Sequence, residues 1–202
     1  MCERRVCEPI DFQPRQSYSK DWIQSALLPQ RTLMPFQIGD KVVYPNQGVG
    51  IVEQISTRNL TGQPEMFYLL RLTSGTMRVI VPISSVVNVG LRRVTRTSEI
   101  STIVDYLQRG QSKSPQDWKG RFKANSEKMR SGSLQQVAEV LKTLIILNQA
   151  KPLSFREKKM MDRAWQLLVD EIAVARGSSK EAVEGQLVRA LNKSNLKAPL
   201  PS

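Results

Sequence analysis

The hydrophobic period of this chain changes once, near residue 97, and the change separates two kinds of predicted structure. Before it, apolar residues form short β-branched or aromatic runs separated by turn sequences such as Pro45-Asn46-Gln47-Gly48. After it, apolar residues recur at helical spacing, with capping residues between the segments. Strands followed by helices predict the α+β class.

The first half predicts a small SH3- or Tudor-like β-barrel of five short antiparallel strands. The predicted strands are Lys41–Tyr44, Gly50–Ser56, Met66–Leu72, Met77–Val81 and, as the fifth, Val86–Val89. Gly39 and Gly48 lie where such a barrel must turn sharply, so we interpret them as turn positions and not as a phosphate cradle.

The second half predicts a compact all-α domain of five helices, because no heptad pattern persists long enough for a coiled coil. Ser154 and Glu157 have the spacing of a capping box, and Gly177 ends that helix. The predicted organisation is an optional or disordered extension (1–33), the barrel (34–96), the helical domain (97–192) and a flexible basic tail (193–202).

The charge of the chain predicts a polyanionic partner. Its formal net charge is +12, and the stretch Arg109–Arg130 contains seven basic residues and only two acidic ones. A run of charges is also compatible with a solvated helix face. The concentration of cations around Trp118 favours nucleic-acid binding over that simpler interpretation.

Trp118 stands in the first turn of a predicted helix that Ser114, Pro115 and Asp117 would begin. An aromatic side chain in that position can wedge between base steps in the minor groove. However, Trp118 also starts an ordinary core-facing stripe that continues through Phe122, Asn125 and Met129. The sequence pattern alone leaves both the wedge and the core interpretation open.

The residue types argue against an enzyme, a metal centre or a cofactor. Histidine is absent, and the only cysteines, Cys2 and Cys7, lie in the opening segment. Acidic residues are scattered singly, and no phosphate-binding loop motif occurs. Two cysteines and no hydrophobic signal core favour a reduced, cytoplasmic setting.

Several motifs together resemble the CarD/CdnL family. They are Gly39-Asp40-Lys41-Val42-Val43-Tyr44-Pro45, Gly48-Val49-Gly50, Val81-Pro82, Gly90-Leu91-Arg92, Trp118-x-x-Arg121-Phe122-Lys123, Gly132-Ser133-x-x-x-Val137-Ala138-Glu139-Val140 and Leu153-Ser154-x-x-Glu157-Lys158-Lys159-Met160. They cover nearly all of residues 34–192 in the family's order. The barrel alone is also similar to the polymerase-interacting module of the transcription-repair coupling factor, and the short helical half favours CarD/CdnL.

The resemblance implies a monomeric bacterial transcription regulator, associated with the nucleoid, that binds the RNA polymerase β subunit and stabilises the promoter open complex. It implies DNA contacts without sequence specificity at the upstream edge of the bubble. Trp118 matches the family's minor-groove wedge. The cations expected to hold phosphates are Lys119, Arg121 and Lys123. Lys158 and Lys159 either extend the patch or form the solvated first turn of a helix.

On the polymerase side, the resemblance implies docking of the barrel partly by edge-strand addition. Arg58 and Leu60 match contact positions of the family. Ile80 falls where some members carry Arg, which favours an apolar or backbone contact there. Arg78, two residues earlier on the same strand face, is the candidate substitute for that arginine.

Two other functions remain open. One is a stand-alone basic RNA- or ribosome-associated module, which would bind RNA and would not co-purify with polymerase. The other is an enzyme that uses only lysine and carboxylates, which would require a concave pocket with convergent acidic residues.

Overall fold

The computed structural model describes residues 35–59, 63–109 and 118–199, and the side chain of Trp118 lies outside this part. Three groups of predictions therefore fall outside the described residues. They are the extension at 1–33, the capping residues Ser114, Pro115 and Asp117, and the polymerase contact of Leu60.

Five antiparallel strands form one sheet in the order β4-β3-β2-β1-β5. The strands are β1 (Lys41–Tyr44), β2 (Gly48–Asn59), β3 (Pro64–Leu72), β4 (Arg78–Pro82) and β5 (Arg92–Arg93). A register shift between Val52 and Gln54 marks a bulge in β2. The predicted N-terminal Tudor-like sheet is confirmed, and β4 and β5 are its edges among the described residues.

The predicted fifth strand is wrong. Val86–Val89 forms a single helical turn, α1, which follows a 3₁₀ turn at Ile83–Ser85 and ends at Gly90, whose φ is 75°. Val86 is buried, whereas Val87 is 86% exposed. A β-branched run has strand propensity, but here the local hydrogen bonds and the left-handed glycine close a turn instead.

Five further helices follow in the part of the chain that the structure describes, and the predicted all-helical second half is confirmed. They are α2 (Thr97–Arg109), α3 (Trp118–Arg130), α4 (Leu134–Ala150), α5 (Phe155–Arg176) and α6 (Lys180–Asn192). The capping box of Ser154 and Glu157 is formed at the start of α5, and Gly177 ends that helix with φ of 63°. None of the helices that the structure describes is both long and apolar enough to cross a membrane.

Each half has its own buried core. The sheet core includes Val42, Val52, Tyr68, Leu70 and Val81. The helical core is larger, and its fully buried members include Ile100, Leu107, Leu141, Leu144, Leu168, Ile172, Leu187 and Leu191. The described residues from Pro35 onward nevertheless cluster as one compact unit, so the sheet and the helices pack on one another.

The chain after α6 differs from the predicted flexible tail. Leu196 is 7% exposed and belongs to the helical core. The Ser194 hydroxyl donates to the carbonyl oxygen of Leu107 at 2.7 Å, at the end of α2. The segment stays packed at least as far as Leu196, because its apolar side chain fills the helical core.

Candidate functional site

A buried ion pair ties the start of α3 to the start of α5. Nε and Nη2 of Arg121 both donate to Oε1 of Glu157, at 3.1 Å each. The side chains of Arg121 and Glu157 are only 3% and 8% exposed. Arg121 lies one turn into α3 and Glu157 lies in the first turn of α5. The N-terminal ends of the two helices therefore lie side by side.

The pairing of Arg121 corrects its predicted role as a phosphate contact. Its guanidinium is buried and its charge faces the Glu157 carboxylate, so it is not presented to a nucleic acid in this structure. The spacing in the sequence could not reveal this, because Glu157 lies 36 residues further along the chain. Arg121 instead holds together the two helix ends that carry the exposed cations.

Exposed cations surround this junction, and we call them the basic end. The basic end comprises Lys119, Lys123, Arg156, Lys158 and Lys159, all exposed. On α3, Lys119 and Lys123 are four residues apart and therefore share a helix face. Both helices also present their positively polarised N-termini here, which favours anions. The predicted set is thus brought to one end of the helical half, except for Arg121, which is buried beneath it.

Phe155, which the sequence interpretation missed, is an exposed aromatic residue at the basic end. It is the first residue of α5 and is 72% exposed. Nζ of Lys159 lies 4.6 Å from the centroid of its ring, a cation–π distance. Its position after the capping residue Ser154 parallels that of Trp118, the first residue of α3. The signal in the sequence that could have found Phe155 is an aromatic residue directly after the predicted capping residue Ser154.

The buried face of α3 bears on the alternative that Trp118 is a core residue. Asn125 and Met129 are buried with Arg121, whereas Phe122 is only half-buried. The predicted stripe is therefore confirmed at Asn125 and Met129, whereas one turn earlier Arg121 is more deeply buried than the predicted Phe122. The side chain of Trp118 is outside the described part, so the choice between wedge and core stays a prediction.

Edge strand β4 carries the candidate polymerase contacts. Its Val79 and Val81 turn toward the sheet core, while Arg78 and Ile80 share the outer face. Ile80 is 48% exposed. Nε of Arg78 lies 2.9 Å from Oε2 of Glu53, which pairs through its other oxygen with Arg71.

Three further exposed residues, Met77, Val87 and Arg58, lie in the same half of the molecule as β4. Met77 and Val87, on either side of β4 in the chain, are exposed apolar residues that the sequence interpretation did not single out. Arg58 is exposed near the end of β2, opposite Glu65 on β3, whereas Ile80 is opposite Leu69. The two positions are therefore displaced by four residues along β3, about 13 Å, and by two strand spacings across the sheet, about 10 Å. One partner surface of ordinary size can cover both positions.

The charged groups outside these surfaces form no metal site: among the residues that the structure describes, no three acidic or cysteine side chains cluster at metal-binding distance. One cavity of about 750 Å³ lies where the chain leaves β5, between α2 and α4. Glu99 is its one acidic lining residue, beside Arg92, Arg93 and Arg96. The convergent carboxylates that a lysine–carboxylate enzyme needs are therefore not found in this cavity.

Comparisons with known proteins match both halves. The CarD-like/TRCF RID domain matches residues 36–95, and the CarD C-terminal domain matches residues 102–188. "Putative transcription factor YdeB" of Bacillus subtilis (strain 168) is 34% identical over 149 residues, which are 74% of this chain and 97% of YdeB. A solved structure of CdnLNt from Myxococcus xanthus is 47% identical over 29% of this chain and 83% of that chain, with a TM-score of 0.26.

The two domain matches define the class of protein: a RID-type sheet is followed by a CarD-type helical domain. The chain belongs to the CarD/CdnL family.

Proposed function

We propose that this protein is a bacterial transcription regulator that bridges RNA polymerase and promoter DNA. The RID-type sheet supports a polymerase partner, because this domain is named for interaction with RNA polymerase. The name of YdeB supports a role in transcription. In this proposal the sheet binds the polymerase β subunit, and the helical half contacts DNA at the upstream edge of the bubble.

The polymerase contact is assigned to the outer edge of β4. An edge strand offers unpaired backbone donors and acceptors to a strand of a partner. Ile80 adds an exposed apolar side chain at its centre, and Met77 lies next to its start. Arg78 remains a candidate contact, and binding a partner there would break its exposed ion pair with Glu53. Arg58 and Leu60 complete the proposed polymerase surface.

The DNA contact is assigned to the basic end, with Trp118 as the wedge. Lys119, Lys123, Lys158 and Lys159 would lie against phosphates, which positions the protein without reading sequence. Trp118 would enter the minor groove where the DNA is bent or unstacked. Such contacts favour the open complex over the closed one and so shift the population toward open.

One observation carries this proposal: the Arg121–Glu157 pair gathers exposed cations from two helices at one end of the same compact unit that presents β4 as an edge. A single compact unit with one polymerase surface and one DNA surface gains affinity when both surfaces are bound at the same time. Neither contact then has to be strong by itself.

The proposal is tested with the full chain and purified bacterial RNA polymerase. Wild type should co-purify with the β subunit and lengthen the lifetime of promoter open complexes. Ile80→Asp should lose the polymerase, whereas Lys158→Glu with Lys159→Glu should keep the polymerase and lose the lifetime effect. Lys41→Glu makes the same kind of charge change on exposed β1 and serves as the control.

Binding of RNA without any capture of polymerase would overturn the proposal. It would instead favour the RNA- or ribosome-associated module.

A further inference from the structure

The sheet and the helices are joined by a charged network centred on Glu171 of α5. We propose that Arg92 and Glu171 are positioning residues, which fix the direction of the basic end relative to edge strand β4. This inference rests on the proposed function, because it concerns how the two binding surfaces are coupled. Neither residue belongs to the polymerase surface or to the basic end.

The Glu171 carboxylate accepts four hydrogen bonds from the segment that leaves β5. Nη1 and Nη2 of Arg92 donate to its two oxygens at 2.7 and 2.9 Å, a bidentate pair. The backbone N–H and the hydroxyl of Thr95 donate to Oε1 at 3.0 and 2.6 Å. The side chain of Glu171 is 4% exposed. One buried carboxylate therefore fixes the whole connection between the two halves.

Arg92 also reaches the end of α3. Its Nε donates to the carbonyl oxygen of Gly132 at 2.6 Å. Gly132 has φ of 73°, and a Cβ atom there would lie 3.0 Å from Cγ of Pro45 in the β1–β2 turn. The β1–β2 turn thus approaches the end of α3 closely, and both the tight contact and the left-handed φ favour glycine there. A single guanidinium links β5, α3 and α5.

A second contact crosses the same junction. Nε and Nη2 of Arg163, on α5, donate to the carbonyl oxygen of Asn46 at 3.2 and 2.9 Å. Asn46 lies in the β1–β2 turn with φ of 58°. Next to it, a Cβ atom at Gly48 would meet the Leu167 side chain at 3.4 Å. Two points on α5, Arg163 and Glu171, therefore hold the sheet against rotation.

The chemistry of the network indicates that it positions the two halves of the molecule more than it stabilises the fold. A buried ion pair gains little over well-packed apolar residues, because removing both charges from water is costly. A bidentate guanidinium–carboxylate pair does, however, impose one geometry. A protein that binds at two places gains from linkage only if both can be engaged together. A loosened junction should keep each contact and lose their coupling.

The test uses the full chain with Glu171→Gln, and with Arg163→Ala as a second variant on a half-buried residue. Three quantities are measured: affinity for polymerase, affinity for duplex DNA alone, and open-complex lifetime. We expect both affinities to stay within about twofold and the lifetime gain to fall by about tenfold or more, since linkage contributes factors of about 10² to 10⁴. Glu139→Gln is the control, because its pair with Lys128 at 2.7 Å lies wholly within the helical half.

A spectroscopic readout separates positioning from folding and from the proposed function. Spin labels at exposed Thr76 in the β3–β4 turn and at exposed Ser178 after α5, with Cys2 and Cys7 replaced by serine, report the distance between the halves. The distribution should be narrow in wild type and in the control and broad in Glu171→Gln. If Glu171→Gln does not fold, the decision rests on Arg163→Ala, for which a smaller broadening and a smaller loss of lifetime are expected.

A narrow distribution with unchanged lifetime in a folded variant would overturn the inference. A parallel fall of both separate affinities would also overturn it, because it would show a general structural defect. If wild type itself neither binds polymerase nor lengthens open complexes, the proposed function fails, while the distance distributions still decide whether Arg92 and Glu171 fix the geometry.

Discussion

The Arg121 guanidinium and the Glu157 carboxylate form a buried pair, with both Nε and Nη2 of the arginine 3.1 Å from one carboxylate oxygen. The other oxygen of Glu157 accepts from the backbone N–H of Ser154 at 3.1 Å and from its hydroxyl at 2.8 Å. The capping box of α5 and the attachment of α3 therefore share one carboxylate. Disturbing the pair should affect both helices.

We predict that Arg121→Ala destabilises the protein strongly. It leaves the Glu157 carboxylate buried without its cation, and breaking a buried pair from one side costs about 3–5 kcal/mol. Urea unfolding followed by circular dichroism measures the loss. Lys128→Ala removes one partner of a partly exposed pair with Glu139 and should cost at most about 1 kcal/mol. Equal losses in the two variants would contradict the structural role of Arg121.

The same carboxylate predicts a dependence of stability on acid pH. Burial by itself raises the pKa of Glu157, but the hydrogen bonds from Ser154 and the Arg121 guanidinium outweigh it and hold the pKa below its usual value of 4.5. A carboxyl whose pKa is lower in the folded state stabilises the fold above its unfolded pKa. That contribution is lost as the pH falls from about 4.5 through the folded pKa.

We therefore expect Glu157→Gln to be less stable than wild type at neutral pH, with a smaller further loss in acid. Urea unfolding at a series of pH values between neutral and acid gives, for each protein, the slope of the free energy of unfolding against pH. Parallel slopes for wild type and Glu157→Gln would contradict this assignment. The amide keeps the shape of the side chain, so the comparison isolates its charge.

The features predicted correctly from the sequence are those encoded locally. The capping box of Ser154 and Glu157 needs only three residues, and Gly177 ends α5 by its own backbone preference. The prediction of a strand at Val86–Val89 is wrong, because the strand propensity of a four-residue run is weaker than the helical turn that Gly90 closes. The sequence did not indicate that Arg121 is buried, because its charge is paired with the carboxylate of Glu157, 36 residues further along the chain.

Lys142 illustrates the same limit in the helical core. It interrupts the apolar run of α4, yet its side chain is buried, and Nζ donates to the carbonyl oxygens of Tyr106 and Leu107 at 2.9 Å each. These carbonyls lie in the last turn of α2, and that of Leu107 also accepts from the Ser194 hydroxyl at 2.7 Å. The cation also lies 5.3 Å from the centroid of the Tyr106 ring. The sequence shows the lysine but not the helix end that it caps.

We predict that Lys142→Met costs about 1–3 kcal/mol, because the carbonyl oxygens of Tyr106 and Leu107 each lose one charged donor while the volume is kept. Burial lowers the pKa of Lys142 from its usual value of 10.5. Since the unfolded chain then binds the proton more tightly, this group makes stability rise with pH between the folded pKa and 10.5. Thermal unfolding at neutral and alkaline pH measures both effects. A variant as stable as wild type would show that Lys142 does not cap α2.

The remaining prediction separates a wedge from a core residue at Trp118. As a wedge, Trp118→Ala should change the free energy of unfolding by only about 0.5 kcal/mol and should keep polymerase binding. The lifetime of promoter open complexes should fall, because the contact made only with distorted DNA is lost. As a core residue, the same change should cost about 3–5 kcal/mol. A melting curve and a lifetime measurement on one variant distinguish the two.

Lys123→Ala is the matched variant on the same helix. Lys123 is exposed, so its removal should leave folding unchanged. DNA affinity should fall at low salt, and the slope of log affinity against log salt should decrease in magnitude by about one phosphate contact. Trp118→Ala should leave that slope unchanged, because an aromatic wedge neutralises no phosphate. If Trp118→Ala melts far below Lys123→Ala, Trp118 is part of the core, and the exposed Phe155 becomes the only aromatic candidate for the wedge among the described residues of the basic end.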